Sequence, residues 1–393
     1  MKPMSRPTLM LNHRRQAGFS LVEMLIALTI GIIITMMLSV VFVNVSKANR
    51  EQFQAAQQIE NGRFAMDLIS NNLRLAGYYG EFGNLPPPAA TLPDPCSAPG
   101  VGDVVSSTAN SPLAFYVQGY PAASLTTRPT VPTACASWID NASLRPGSDI
   151  LVVRRLDTIP LINAVASPAV TSATTVTNEV YGQTNHNTLS IQYGTGATID
   201  GTKDATNNPT TLTQKDFSQA TTGTPPTRPL TAAYIRKVHV DVYFVSNCRS
   251  GSGTNGKCTS SDDTIPTLKR LELVPSAGAP TMALVPLVDG IEFLKVRYGL
   301  DTTSTIAGKT LDGTVDSIVT APAAVSDWQN VVTAEIRILA RNTETSNDYT
   351  DPKTYDLGGA SYTPSGSDVK FHRHALRSNV YIMNIGGRRE FTP

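Results

Sequence analysis

The stretch GFSLVEMLIALTIG, residues 18–31, decides how the rest of the chain is read. After Phe19 one carboxylate, Glu23, stands near the start of a run that otherwise carries no charge until Lys47. From Met24 to Val43 there are 20 uncharged residues, enough for a helix to cross a hydrocarbon core roughly 30 Å thick. Ahead of the run, residues 1–18 hold Lys2, Arg6, Arg14 and Arg15 and no acidic residue. That asymmetry keeps the leader in the cytoplasm and sends the remainder outward. A secretory signal would place a small-residue cleavage site after the apolar run, and no A-x-A site lies between Val40 and Arg50. A carboxylate within hydrocarbon costs roughly 2.5–3.5 kcal/mol on insertion scales, so Glu23 requires an explanation.

The Gly18–Phe19 junction before the apolar run, with a glutamate four residues after the phenylalanine, resembles the signal of type IV prepilins. The resemblance implies that a prepilin peptidase cuts after Gly18 on the cytoplasmic side and that Phe19 becomes a methylated N-terminus. The mature chain would then have 393 − 18 = 375 residues. Gly18 has no Cβ, which leaves its peptide bond open to close approach by a protease. The resemblance also gives Glu23 a role: its carboxylate would neutralise the terminal ammonium of a neighbouring subunit inside an apolar bundle, where either charge alone is costly. The plainer reading is a carboxylate that snorkels to the cytoplasmic interface without a partner.

Beyond Lys47 the residues turn polar, but Phe53, Ile59, Phe64, Leu68 and Leu75 recur at mostly helical intervals. One helix from Phe19 to Leu75 would be about 85 Å long, more than any bilayer requires. Gly62, with Asn61 beside it, weakens this helix by about 1 kcal/mol relative to Ala and marks a place for a bend. Gly77 is a C-cap candidate, and Pro86, Pro87 and Pro88 exclude continuation. The segment GRFAMDLISNNLRLAGYYG, residues 62–80, resembles the end of the helix in the PilW family of minor pilins.

Strands are expected at 149–156, 188–193, 234–245, 268–274, 290–299, 331–341 and 376–385. In VHVDVYFV, residues 238–245, Val238, Val240, Val242 and Phe244 alternate with His239, Asp241 and Tyr243, as a strand with one buried face requires. In TAEIRILA, residues 333–340, Ala334, Ile336 and Ile338 oppose Glu335 and Arg337, an antiparallel signature. The blocks 288–301, 328–342 and 374–387 follow the order and style of PilW-type minor pilins. Residues 86–233, rich in Thr, Ala, Pro and Asn, carry no motif that can be placed.

The expected fold is α+β and pilin-like: a long N-terminal helix, transmembrane in its first half, packed on a C-terminal antiparallel β-sheet head. Its parts are a leader at 1–18, a transmembrane or filament helix at 19–46, an amphipathic continuation at 47–85 and a β-rich head at 86–393. The resemblance implies a minor pilin of the inner membrane, later of the pilus fibre, with its head in the periplasm or outside the cell. Its partners would be the prepilin peptidase, other minor pilins, the major pilin, the inner-membrane assembly platform and a tip adhesin. Major pilins usually carry a proline within the apolar helix, and none occurs between Phe19 and Leu85, which favours a minor subunit. A minor pseudopilin of a type II secretion system shares these features. A membrane-tethered periplasmic binding protein or adhesin is the alternative of another class.

The four cysteines form two local pairs, Cys96 with Cys135 and Cys248 with Cys258. Three full pairings are open, and the local one closes the shortest loops. Position beyond the apolar run suits an oxidising compartment. Zinc fits less well, because neither pair has C-x-x-C spacing or a histidine cluster nearby. With 32 basic against 31 acidic residues, the charge of +1 gives no electrostatic ground for nucleic acid as the main ligand.

Other motifs are weak. GSGTNGKC, residues 251–258, approaches a phosphate-binding loop but ends in Cys258 and leads into TSSDDTIP, which is no helix start. His372 and His374 share a strand face without a third ligand, and Asp262 with Asp263 lack the ligand ladder of a calcium loop. Trp138 and Trp328 read as core aromatics. No G-x-S-x-G elbow or histidine pattern points to catalysis, and no cofactor is implied.

Overall fold

The computed structural model describes residues 18–82, 90–97, 104–105, 112–160, 178–184, 189–193, 234–303, 310–346 and 348–391. The basic leader residues, Pro86 to Pro88 and most of 161–233 lie outside them. The chain divides into two compact units, residues 1–54 and 55–393.

One helix, α1, runs from Leu21 to Arg74 (54 residues) without interruption. In the first unit its apolar residues are uncovered: Leu25, Ile30, Ile34 and Leu38 are each more than half exposed. It is long and apolar enough to cross a membrane. Its few hydroxyls bond back into the helix, Thr29 Oγ1 to the Leu25 carbonyl (3.1 Å), Thr35 Oγ1 to that of Gly31 (2.8 Å) and Ser39 Oγ to that of Thr35 (2.8 Å). The three hydroxyls between Met24 and Val43 then need no water.

The second unit contains the last turns of α1 and two main sheets. The larger holds β1 (Val104–Val105), β2 (Val117–Tyr120), β3 (Ile150–Leu156), β4 (Val180–Thr184), β5 (Leu189–Tyr193), β6 (Ile235–Ser246), β7 (Thr267–Val274) and β8 (Thr281–Asp289). Its order is β1-β5-β4-β6-β3-β2, with β7 added to β6 and β8 to β7. The smaller holds β9 (Ile291–Leu300), β10 (Ser317–Val319), β11 (Val331–Arg341) and β14 (Arg373–Tyr381), in the order β10-β9-β11-β14. A hairpin of β12 (Tyr355–Asp356) and β13 (Ser361–Tyr362) and a final helix α2 (Met383–Phe391) complete the fold. Every pairing is antiparallel. The layout is the α+β, pilin-like one read from the sequence.

The helix docks through a mixed stripe with small residues where its backbone comes closest. Gln58, Gly62, Ala65, Met66, Ile69 and Leu73 form this buried stripe, at helical spacing, and Ala76 is buried just past the helix end. The larger apolar residues named from periodicity do not join the stripe: Phe53 and Phe64 are 69% and 56% exposed, and Ile59, Leu68 and Leu75 are half-buried. Gly62 lies inside the uninterrupted helix. A Cβ there would come within 2.5 Å of Leu376 Cδ1 and 3.2 Å of Ala340 Cβ, so the glycine lets the helix backbone lie against β11 and β14. Gln58 Nε2 donates to the Ala340 carbonyl (3.1 Å) and Asn61 Nδ2 to that of Asp289 (3.1 Å). Further along, Asn72 Nδ2 donates to Asp241 Oδ2 (2.7 Å) and Tyr243 Oη (2.8 Å), and accepts from Arg155 Nε (2.8 Å).

Those bonds correct the one-sided reading of β6. Val238, Val240, Val242 and Phe244 are buried as expected, but Asp241 and Tyr243 are buried as well because α1 covers their face. In β11, Ala334, Ile336 and Ile338 are fully buried. Glu335, on the other face, is shielded by Arg337 (2.6 Å) and Arg377 (2.9 Å).

The helix ends at Arg74, and residues 75–82 are turns within the 47–85 segment. Gly77 takes φ +70°, a left-handed conformation that suits glycine, and its amide bonds the Arg154 carbonyl (3.1 Å). The last strand stops at Tyr381 rather than 385, because Met383–Phe391 turns into α2. That helix clamps the turn after α1. Asn384 Nδ2 donates to the Ala76 carbonyl (3.2 Å) and Arg388 to that of Phe82 (2.6 Å). Arg389 meets the buried Asp301 carboxylate (2.9 Å).

Candidate functional site

Three of the residues singled out from sequence lie within residues 18–23, at the start of the described chain. Gly18 is exposed, with nothing within 4 Å of the position a Cβ would take, and Phe19 is 90% exposed. Ser20 precedes the helix, its carbonyl accepting from the Met24 amide (3.1 Å). The Ser20 amide donates to Glu23 Oε2 (3.3 Å). Ser20-Leu21-Val22-Glu23 therefore forms one arm of a capping box, in which the third helical residue reaches back to the N-cap amide. The S-x-x-E spacing is legible in the sequence, and it gives Glu23 a local partner in addition to the docking and snorkelling readings. An acidic group in the first turn also opposes the positive end of the helix dipole.

The four cysteines form Cys96–Cys135 and Cys248–Cys258, with Cα separations of 5.0 and 5.9 Å, and none is free. Among the described residues, Asp94, Cys96 and Cys135 bring three metal-binding residue types together. The two sulfurs are bonded to each other, so the thiolates that zinc would take are absent. The 251–258 segment is a disulfide-closed loop with a short 3-10 turn at Thr254–Gly256 and no following helix, and Lys257 Nζ is held by the Ala136 carbonyl (2.7 Å). Asp262 and Asp263 act as loop clamps. Asp262 accepts from the Ser252 (3.0 Å) and Thr259 (2.7 Å) amides, and Asp263 from those of Arg249 (2.9 Å) and Ile265 (3.0 Å). The amides of Ser252 and Thr259 hold Asp262 at a pKa of about 2. His372 stacks on Tyr349 with ring centroids 3.6 Å apart, while His374 is exposed. Trp328 is core, edge-on to Tyr298 at 4.8 Å, whereas Trp138 is only half-buried.

A cluster that sequence patterns did not reveal binds the smaller sheet to its surroundings. Glu292 on β9 is fully buried, with Arg373 Nε at 2.6 Å, Arg145 Nη2 at 2.9 Å and Arg341 Nη1 at 3.9 Å. Asp351 adds a second carboxylate to Arg373 at 3.3 Å and accepts from Tyr355 Oη at 2.9 Å. Burial works against the Arg373 charge, but the hydrogen bonds and charge of Glu292, then Asp351, hold its pKa above that of an ordinary guanidinium. The partners come from four separated segments, which is why no local motif announces them.

Comparison with known families yields two matches. The family described as Type IV Pilus-assembly protein W matches residues 242–384, from within β6 to the start of α2. The prokaryotic N-terminal methylation motif matches residues 13–39, which include Gly18, Phe19 and Glu23. No curated protein and no solved structure matches the chain. The chain thus carries a prepilin-type N-terminus and a PilW-type region, which together support a minor-pilin-like role in a type IV pilus. They imply contact with other pilins and a peptidase, and agree with anchoring in the inner membrane.

Proposed function

We propose that this chain is a PilW-like minor pilin that helps to initiate assembly of a type IV pilus and sits at or near the filament tip. Prepilin peptidase would hydrolyse the Gly18–Phe19 bond, leaving the Gly18 carboxylate on the leader and a free Phe19 amine for methylation. The mature subunit would join other minor pilins in the inner membrane, engage the assembly platform, prime addition of the major pilin and present its head outside the cell, supporting motility or adhesion, with a tip adhesin as a further partner. Glu23 would pair with the terminal ammonium of a neighbouring subunit. One observation carries this reading: an uncovered apolar helix that opens on an exposed Gly18–Phe19 junction and ends buried in a head matching the pilus-assembly family. The role is structural, and no catalytic step is assigned to the chain.

The test is a clean deletion in the source organism, with sheared surface pili counted and exoprotein secretion assayed side by side. Loss of pili with intact secretion supports the proposal. Intact pili with blocked secretion would move the chain to the minor pseudopilins of type II secretion, and neither defect would leave a tethered binding protein. Retention of residues 1–18 in the mature protein would also point to the last of these.

A further inference from the structure

The larger sheet has α1 on one face, where Asp241, Tyr243 and Arg270 lie. Strand alternation sends Lys269 to the other face, in register with Phe244 on β6 and Pro286 on β8. There a cleft of about 420 Å³ opens between the β7–β8 surface and the disulfide-closed loop 248–258. Met282, Leu284 and Pro286 contribute apolar lining, Trp138 a planar group, and Lys269 and Arg249 the cations. The size falls within the usual range for small-ligand sites.

Lys269 is the anomaly. The residue is 2% exposed, yet the one hydrogen-bond contact of its ammonium among the described residues is the Cys248 sulfur, at 3.8 Å. An ammonium has three donors and is costly to bury without acceptors. Burial lowers its pKa below the ordinary lysine value, against the opposing pull of Asp263, Asp262 and Asp289. Those carboxylates are already engaged. Asp262 and Asp263 accept from loop amides, and Asp289 accepts from the Arg249 guanidinium (2.7 Å) and the Thr267 hydroxyl (3.0 Å).

Formal charges around the cleft balance: Lys269, Arg249 and Lys257 against Asp262, Asp263 and Asp289. A multiply charged phosphate would meet three nearby carboxylates with no surplus of cations, whereas a single negative charge needs only the ammonium, whose one contact is the weakly accepting sulfur. The apolar and planar lining then calls for a ligand with an apolar body. We propose that this cleft binds a monocarboxylate carrying an aromatic or branched apolar group, with the carboxylate seated on Lys269 Nζ and the body against Trp138, Met282 and Leu284. The site lies apart from the N-terminal processing and docking residues, so it stands or falls independently of the pilus role.

The experiment titrates the full-length chain in detergent micelles by calorimetry and tryptophan fluorescence, with empty micelles as blank. The probes are benzoate, methyl benzoate, inorganic phosphate, and N-acetyl-Gly-Phe as its free acid and as its amide. The expected result is saturable binding of the acids, with ester, amide and phosphate each at least about tenfold weaker, as loss of a charge-assisted hydrogen bond implies. Lys269→Met should weaken the acids by about tenfold or more while leaving the circular dichroism spectrum unchanged. Tighter binding of benzoate assigns a free small molecule as the ligand, and tighter binding of the peptide acid assigns a protein chain end. Both results support a carboxylate site. No saturable binding of either acid, equal binding of acids and neutral counterparts, or preference for phosphate overturns it. The wild-type comparison decides the matter even if the variant fails to fold.

Discussion

Glu23→Gln separates the capping contact of this residue from its proposed docking role. In the isolated chain the carboxylate caps the Ser20 amide at 3.3 Å, and an amide oxygen can accept the same bond. At an exposed helix end such a cap contributes about 1 kcal/mol, and the charge on it a few tenths more. If capping were the whole role, glutamine would keep nearly all of it. The docking role predicts a far larger effect. Once subunits pack, removing the carboxylate leaves the Phe19 ammonium of a neighbour unpaired in apolar surroundings, at a cost of roughly 2.5–3.5 kcal/mol. At about 1.4 kcal/mol per factor of ten, incorporation should fall on the order of a hundredfold. The assay complements a deletion strain with wild type, Glu23→Gln and Ser20→Ala, then measures by immunoblot the share of subunit in sheared pili against that in membranes. Mass spectrometry of each variant should show a chain of 393 − 18 = 375 residues beginning at Phe19, so that a cleavage defect is not mistaken for a docking defect. A normal share of cleaved Glu23→Gln in the sheared fraction would refute the docking role.

Four further outcomes are expected. Glu292→Gln removes the charge that three arginines share, and should lower unfolding stability in urea by about 3–5 kcal/mol; a loss below about 1 kcal/mol would mean the cluster is not cohesive. Gly62→Leu should destabilise the chain by about 1–3 kcal/mol despite improved helix propensity, because the added side chain enters the space of Leu376 and Ala340; thermal unfolding at or above the wild-type temperature would show that the contact yields. Replacing both cysteines of a pair by serine should cost about 2.5–3 kcal/mol for the 10-residue Cys248–Cys258 separation and about 4 kcal/mol for the 39-residue Cys96–Cys135 separation, and equal losses in urea would contradict the loop-length argument. Asp262, Asp316 and Asp356 have depressed pKa values, chiefly through backbone amides, so their stabilisation is complete above an unfolded value near about 4. It is lost as pH falls through the folded values, about 2 for Asp262; Asp262→Asn should flatten the acid limb of a thermal-stability profile, and an unchanged limb would remove that carboxylate from the account.

Much of the fold was legible because it depends on local chemistry. An uncharged run of membrane length, alternation in β6 and β11, and cysteines close enough for short loops each have a signature within a few tens of residues. What escaped depends on contacts between distant segments. Large apolar residues at helical spacing pointed to Phe53 and Phe64, yet docking uses Gly62 and Ala65 because the helix backbone must approach Ala340 and Leu376. Asp241 reads as the solvent face of β6 until Asn72, 169 residues earlier, is seen to bond it. The strand expected to reach 385 stops early because Met383–Phe391 folds into a helix anchored through Asn384, Arg388 and Arg389, although Gly386 and Gly387 lower its propensity. At the candidate site, Gly18, Phe19 and Glu23 could be named from order alone. The cap that Glu23 supplies also had a spacing signature, but the buried Lys269 had none.

The uncovered helix explains why a costly carboxylate is compatible with the proposed role. From Phe19 to Val45, nineteen large apolar side chains are each at least half exposed in the chain by itself. At about 1.5–3 kcal/mol for full burial of one such side chain, covering even half of their surface contributes well over 10 kcal/mol, comparable with the whole stability of a typical domain. This segment is therefore not at rest in water, and a bilayer or a bundle of like helices can each receive it. Apolar burial alone distinguishes poorly between those two surroundings, since lipid tails and neighbouring leucines are similar solvents. In the proposed role Glu23 would break the tie. In lipid its charge is a penalty, and beside a neighbour's ammonium that penalty would be offset, so the same charge that weakens the membrane state would favour the assembled one and set the register of the helices that meet there.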